Sequence, residues 1–181
     1  MKVKKERSTL FRPYILLTLM FFLISCAHKT SEPPISFDEL STNLNTPKLI
    51  SDYQVKHFKW ASEKQGGGCG GVDIGISLEK CSPSFIHENK GKGNCGAFTT
   101  FSVHSLRKAG YEAYPLYVHE EWPSWLAPGH QPRDYHIMTL YRVNDQWFTI
   151  DNGTANQRGI KGPYNRLEDL PYKVLKIDKD Y

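Results

Sequence analysis

The stretch from His136 to Asp151 constrains the fold more than any other part of the chain. His136 to Val143 and Gln146 to Asp151 are two β-rich runs separated only by Asn144-Asp145, a pair suited to a tight hairpin turn. In an antiparallel hairpin the start of the first strand lies beside the end of the second. His136 and Asp151 are therefore expected as neighbours at one edge of a sheet. Tyr111 to His119 and Lys173 to Ile177 read as further strands.

Upstream of this sheet the signals are helical. Ser36-Phe37-Asp38-Glu39 has the form of a capping box. Thr46-Pro47 supplies an N-cap and a first-turn proline. Leu49, Ile50, Tyr53, Phe58, Trp60 and Ala61 are expected to form the buried stripe of the helix that follows. Glycines 66–68, 70 and 71 exclude a regular helix there, and Val72 to Asn89 is expected to be mostly loop. Asn94 caps a clearer helix with Phe98, Phe101, Val103, Leu106 and Ala109 on its buried side and Gly110 at its end. Helices followed by an antiparallel sheet define an α+β domain.

Cys95 opens that second helix, between Gly93-Asn94 and Gly96. A thiol in the first turn feels the positive end of the helix dipole and is more easily ionised. The backbone N–H groups of the same turn can receive an oxyanion. Alone, Cys95 could equally be a small core residue, His136 a surface histidine and Asp151 a turn-former in Asp-Asn-Gly. Together they supply a nucleophile, a base and a group that orients the base, which is what thiolate catalysis requires. No other histidine has an aspartate in hairpin register with it. His57 and His104 fall on helices, and His87, His119 and His130 in or near loops.

The segments Gly93-Asn94-Cys95-Gly96, Leu106 to Ala113, His136 to Leu140 and Trp147 to Asp151 resemble the transglutaminase-like superfamily, from about Lys48 to Gly153. The resemblance implies a papain-like core, with the nucleophile helix packed on an antiparallel sheet. It also implies acyl transfer through a thioester, with Cys95 as nucleophile, His136 as base and then acid, and Asp151 orienting the imidazole. Trp60 and Gln65 are the candidates to complete an oxyanion hole, although Trp60 also fits the core. The chain departs from many bacterial members in having Gly96-Ala97-Phe98 where they carry acidic residues after the cysteine. No cofactor is expected, and no acidic cluster suggests calcium or another metal. The expected activity is that of a peptidase or amidase on a peptide, protein or peptidoglycan. A protein-crosslinking transglutaminase and a non-catalytic binding lipoprotein are the alternatives. A loop with Trp122 and Trp125 could close as a lid. Triad positions serve reactivity more than packing, so their substitution is expected to leave thermal stability little changed.

The N-terminus is processing signal. Lys2, Lys4, Lys5, Arg7 and Arg12 precede the apolar run Tyr14 to Ile24, which is short for a membrane span and suits a signal peptide. Leu23-Ile24-Ser25-Cys26 resembles the bacterial lipobox, in which the cysteine becomes the first residue and carries lipid, palmitate among its acyl chains. The expected organisation is a lipoprotein signal peptide (1–25), the lipidated Cys26 with a flexible tether (26–35), and a catalytic domain (36–181). All of the chain's net charge of +4 lies in the signal segment. The remainder is neutral, which argues against nucleic acid as a partner. The expected protein is a monomer, anchored to the membrane by lipid at the outer membrane or periplasmic face of a bacterial envelope. Cys69 and Cys81 are left to form a disulfide, to remain thiols, or to bind metal with His87. If Cys26 holds the anchor, Cys26→Ala will move the protein from the membrane fraction to the soluble fraction on immunoblotting. Retention through a high-salt wash would instead mean an uncleaved helix.

Overall fold

Side-chain caps set where three of the helices begin. In the computed structural model, which describes residues 35–62, 65–68, 78, 81–119, 135–152 and 158–181, α1 (Phe37–Asn43) starts where Ser36 Oγ accepts the Glu39 N–H at 3.2 Å. α2 (Pro47–His57) starts where Thr46 Oγ1 accepts the Leu49 N–H, also at 3.2 Å, with Pro47 in the first turn. Each such cap contributes about 1 kcal/mol. α2 ends at His57, earlier than its apolar pattern suggests, because the chain turns into β1 (Lys59–Trp60). A short α3 (Phe85–Glu88) interrupts the segment expected to be loop and leads into β2 (Lys92–Gly93). β1 and β2 pair in parallel, Lys59 with Lys92 and Trp60 with Gly93. Trp60 is 45% exposed, so it does not belong to the core, and Leu49 is equally outside it. Ile50, Phe58 and Ala61 do carry the buried stripe.

The small β1–β2 ladder holds the chain ahead of Cys95. Lys59 N–H donates to Gly91 O at 2.7 Å and Ala61 N–H to Gly93 O at 2.9 Å. Gly91 has φ +78°, and a Cβ there would meet the His57 carbonyl oxygen, so glycine is required by both conformation and space. Asn94 N–H donates to Gly67 O at 2.8 Å, fastening the start of the glycine-rich segment to the same place.

α4 (Cys95–Lys108) begins at Asn94, whose Oδ1 accepts the Ala97 N–H at 3.1 Å. It is buried along nearly its whole length. It packs against β3 (Glu112–His119) and β4 (His136–Val143) on one side and against α1, α2 and α3 on the others. Phe58 stacks edge-on to both Phe98 and Phe101, with ring centroids 5.5 and 4.8 Å apart. Such pairs add to the area that they bury. The helix's buried hydroxyls bond locally: Thr100 Oγ1 donates to Ala97 O and Ser102 Oγ to Phe98 O.

The sheet is antiparallel and five-stranded, in the order β6 (Gly159–Tyr164), β5 (Gln146–Asp151), β4, β3, β7 (Lys173–Ile177). Asn144 and Asp145 both take positive φ, 48° and 65°, as a tight hairpin turn requires. β6 is a strand that the sequence pattern did not predict, because Gly159, Gly162 and Pro163 disguise it; an edge strand tolerates proline. A second apolar cluster of Leu116, Val118, Met138, Leu140 and Leu170, closed by Trp147, Tyr164 and Tyr172, covers another part of the sheet. The chain divides into two units, Met1–Ile35 and Ser36–Tyr181, and every element above belongs to the second. Among the described residues no helix is long and apolar enough to cross a membrane. The expected signal peptide, lipidated Cys26 and most of the tether lie outside them.

A Cβ on Gly93 would stand 2.7 Å from Ile86 Cδ1 and 2.8 Å from Ala97 Cβ. Gly93→Ala should therefore overpack the wall behind Cys95 and cost about 1–3 kcal/mol in urea unfolding. Parental stability in that variant would show that the wall yields.

Candidate active site

Cys95 occupies the first position of α4, where the dipole and the N–H groups of the opening turn favour an anion. It is buried, and its sulfur is in no disulfide. His136 is the first residue of β4 and Asp151 the last of β5. The β4–β5 ladder pairs Thr139 with Ile150. One step further Asp151 comes level with Met138, two residues from His136, which makes Asp151 and His136 diagonal neighbours on one side of the hairpin.

The three side chains meet. His136 Nε2 lies 3.1 Å from Asp151 Oδ1, and the imidazole also hydrogen-bonds the Cys95 side chain. With Nε2 turned to the carboxylate, Nδ1 is the ring nitrogen that serves the sulfur. His136 is 4% exposed and Asp151 2%. Burial pushes the imidazole pKa down, but the hydrogen bonds to Asp151 and Cys95 and the attraction of their charges outweigh it. The pKa rises from 6.5 to about 10. At neutral pH the ring is therefore a cation held between two groups that favour negative charge, the arrangement from which a thiolate attacks.

The burial corrects one expectation. Removing His136 or Asp151 strands a buried, formerly paired group, and breaking such a pair costs about 3–5 kcal/mol. These positions therefore contribute to stability.

Tyr117 is a neighbour that the sequence did not point to. It lies on β3 opposite Ile137. Its hydroxyl pKa is raised to about 12 by burial first, and then by Asp178, Tyr135 and Cys95. It stays protonated at neutral pH within the electrostatic reach of the thiol. Its alternating strand position looked like ordinary core.

The remaining candidates are distributed as follows. Trp60 is paired with Gly93, two residues before Cys95, and is solvent-exposed. Gln65 is exposed and turns its side-chain oxygen to Ser62, accepting from its N–H at 3.1 Å and from its hydroxyl at 3.2 Å. Cys81 is disulfide-bonded and packs its sulfur 3.4 Å from Thr100 Oγ1 of α4. This removes it as a thiol or zinc ligand. Cys69, its expected partner, lies outside the described residues, as do Cys26, His130, Trp122 and Trp125. His57 stacks on Tyr53 at the end of α2, and His104 packs on Phe37. His87 falls within α3, where loop was expected, and His119 ends β3, as the strand expected over Tyr111 to His119 has it. Among the described residues no group of three His, Cys, Asp or Glu side chains is placed to hold a metal ion.

No family model matches the chain, and no curated protein does. Among solved structures, a crystal structure of a TGase aligns over 82% of this chain with a TM-score of 0.43 and 18% identity. The chain spans about two fifths of that structure's length, 41%.

Because the folded pKa of His136 lies above its unfolded value, the stability that it contributes is fully present below about pH 6.5. It is lost as pH rises through about 10. The gap in Tm between the parent protein and His136→Ala should therefore be widest at or below pH 6.5 and narrow toward pH 10. A gap that widens with pH in matched buffers would contradict the ion pair.

Proposed function

We propose that the domain is a cysteine enzyme of the transglutaminase-like kind that hydrolyses amide bonds through an acyl-thioester. The observation that carries this reading is a single buried imidazole joined on one side to Cys95 and on the other to Asp151. The order of the three residues along the chain, and the helix and strand ends that bear them, support it further.

In this reading the Cys95 thiolate attacks the carbonyl carbon of an amide. The oxyanion that forms lies against the opening turn of α4. The C–N bond then breaks, and His136 gives its proton to the leaving amine while Asp151 holds the ring in place. Water enters, His136 takes one of its protons, and hydroxide adds to the thioester. The C–S bond breaks, releasing a carboxylic acid and restoring the thiolate. An amine entering in place of water would give the crosslinking reaction instead. Hydrolysis is preferred because water is abundant and nothing among the described residues marks an amine subsite. The reading extends to an envelope lipoprotein anchored through Cys26, with a peptide, protein or peptidoglycan as substrate. The signal-like N-terminus supports that part alone.

Incubation with purified peptidoglycan, and with casein plus a primary amine, followed by mass spectrometry, will separate hydrolysis from transfer. On the substrate so found, Cys95→Ala and His136→Ala should each lower kcat/KM by three to four orders of magnitude, on the order of 5 kcal/mol in the barrier. Asp151→Asn should cost less, since an amide still orients the ring. The losses should be strongly non-additive. Near-normal turnover by His136→Ala would remove His136 as the base and point to His119 or His130.

A further inference from the structure

A chain of buried amides joins the helix that carries Cys95 to the residue that follows Asp151. Gln54, on α2, is 1% exposed. Its Nε2 donates to Phe98 O at 2.9 Å and to Ser102 Oγ at 2.6 Å. Its Oε1 accepts from Asn152 Nδ2 at 2.6 Å. Asn152 is also buried; its Oδ1 accepts the Gly159 N–H at 2.9 Å, and its Nδ2 lies 3.5 Å from Ser51 Oγ.

The direction of every bond in this chain is fixed from its ends. The Gly159 N–H can only donate, so Asn152 presents its oxygen there and its nitrogen to Gln54. The Phe98 carbonyl can only accept, so Gln54 presents its nitrogen there and its oxygen to Asn152. Reversing either amide would set like atoms against each other at both of its ends. The contact points on α4 also matter. Phe98 and Ser102 stand three and seven residues after Cys95, on the same helical face. Gln54 therefore touches α4 on the side from which the thiol projects. At the other end Asn152 is covalently next to Asp151, just beyond the last residue of β5.

From this juxtaposition we infer that Gln54 and Asn152 are positioning residues, a two-amide splint that fixes the distance between the Cys95 helix and the Asp151 carboxylate and so holds His136 between them. The inference rests on the catalytic reading of the three residues. Neither amide touches the imidazole, the thiol or a substrate. Both act through the backbone that they hold. The two halves of the site come from separate layers, the helix α4 and the sheet, so their spacing depends on what ties one layer to the other. Buried amides with every group satisfied admit one geometry.

The test uses the full chain in detergent and needs no substrate. The rate of Cys95 alkylation by iodoacetamide is measured by peptide mapping from pH 5 to pH 9, with Tm recorded for each protein. In the parent, the rate at pH 6 should stay within roughly threefold of that at pH 9, because the thiolate is already formed. In Gln54→Met, which keeps length and packing while removing both donors and the acceptor, the pH 6 rate should fall about tenfold, the equivalent of one pKa unit. The pH 9 rate should hold. Asn152→Ala should do the same, and it stands in if Gln54→Met does not fold. The double variant should be no worse than the worse single one, since the two amides act in series. A lower Tm with an unchanged pH profile would show an ordinary structural contact and overturn the splint, as would additive shifts in the double variant. A parent protein without reactivity on the acid side would instead overturn the triad, a result distinct from an unmoved variant.

Discussion

A charged imidazole buried between a carboxylate and a thiol depends on the backbone around it. Removing such charges from water costs several kcal/mol for each ion, and attraction in the interior recovers this only when the contacts are close and fixed. His136 and Asp151 meet at 3.1 Å with both side chains almost fully covered. Each sits at the end of its strand and is held there by one neighbouring strand, His136 beside Val118 of β3 and Asp151 beside Gly159 of β6. Further rigidity comes from α4, from the hairpin turn with its two positive φ values, and from the amides beyond the strand end.

α4 serves two purposes that usually conflict. It is the centre of the core, with Phe101, Val103 and Leu106 fully buried, and its first residue is the proposed nucleophile. A helix so deeply packed cannot tilt without opening the core, which gives the thiol a fixed origin. The conflict is resolved at the N-terminus. Gly93 leaves no side chain where Ile86 and Ala97 close in, and the β1–β2 ladder guides the chain past Trp60 into the first turn.

Much of this was legible in the sequence, and the failures have physical causes. The hairpin showed because its turn and its strand lengths agree with each other. The helix caps at Ser36, Thr46 and Asn94 showed because they act within three residues of themselves. The meeting of His136 with Asp151 followed from the hairpin, and that of Cys95 with His136 from the resemblance. β6 was missed because its glycines and proline mask a strand that only its partner β5 defines. Trp60 was placed in the core because the helical period was continued past the point where the chain straightens. Gln54 was missed for a related reason. It stands four residues from both Ile50 and Phe58, on the buried stripe, where a polar residue looks like an interruption. Its partner Asn152 was hidden in Asp-Asn-Gly, three residues that ordinarily make a turn. A glutamine on an apolar stripe is itself a signal, because burying an amide is costly unless something waits for it. What waits for it, 98 residues away, is not written locally.

The strand order bears on how the site comes into being. From α4 to β5 the chain runs as helix, strand, strand, strand, each packed against the next, and Cys95, His136 and Asp151 all fall within that run. β6 extends it by one more neighbour. β7 breaks the sequence by returning across the sheet to lie beside β3. Contacts between near neighbours in the chain close with little loss of loop entropy, whereas those spanning a long stretch close slowly. The cluster of Cys95, His136 and Asp151 therefore belongs to the early-closing part of the chain. Contacts of longer span, such as Gln54 on Asn152, 98 residues apart, come after it. A newly synthesised molecule would then bring Cys95 and His136 together before the amides that link α2 to the end of β5 are in place.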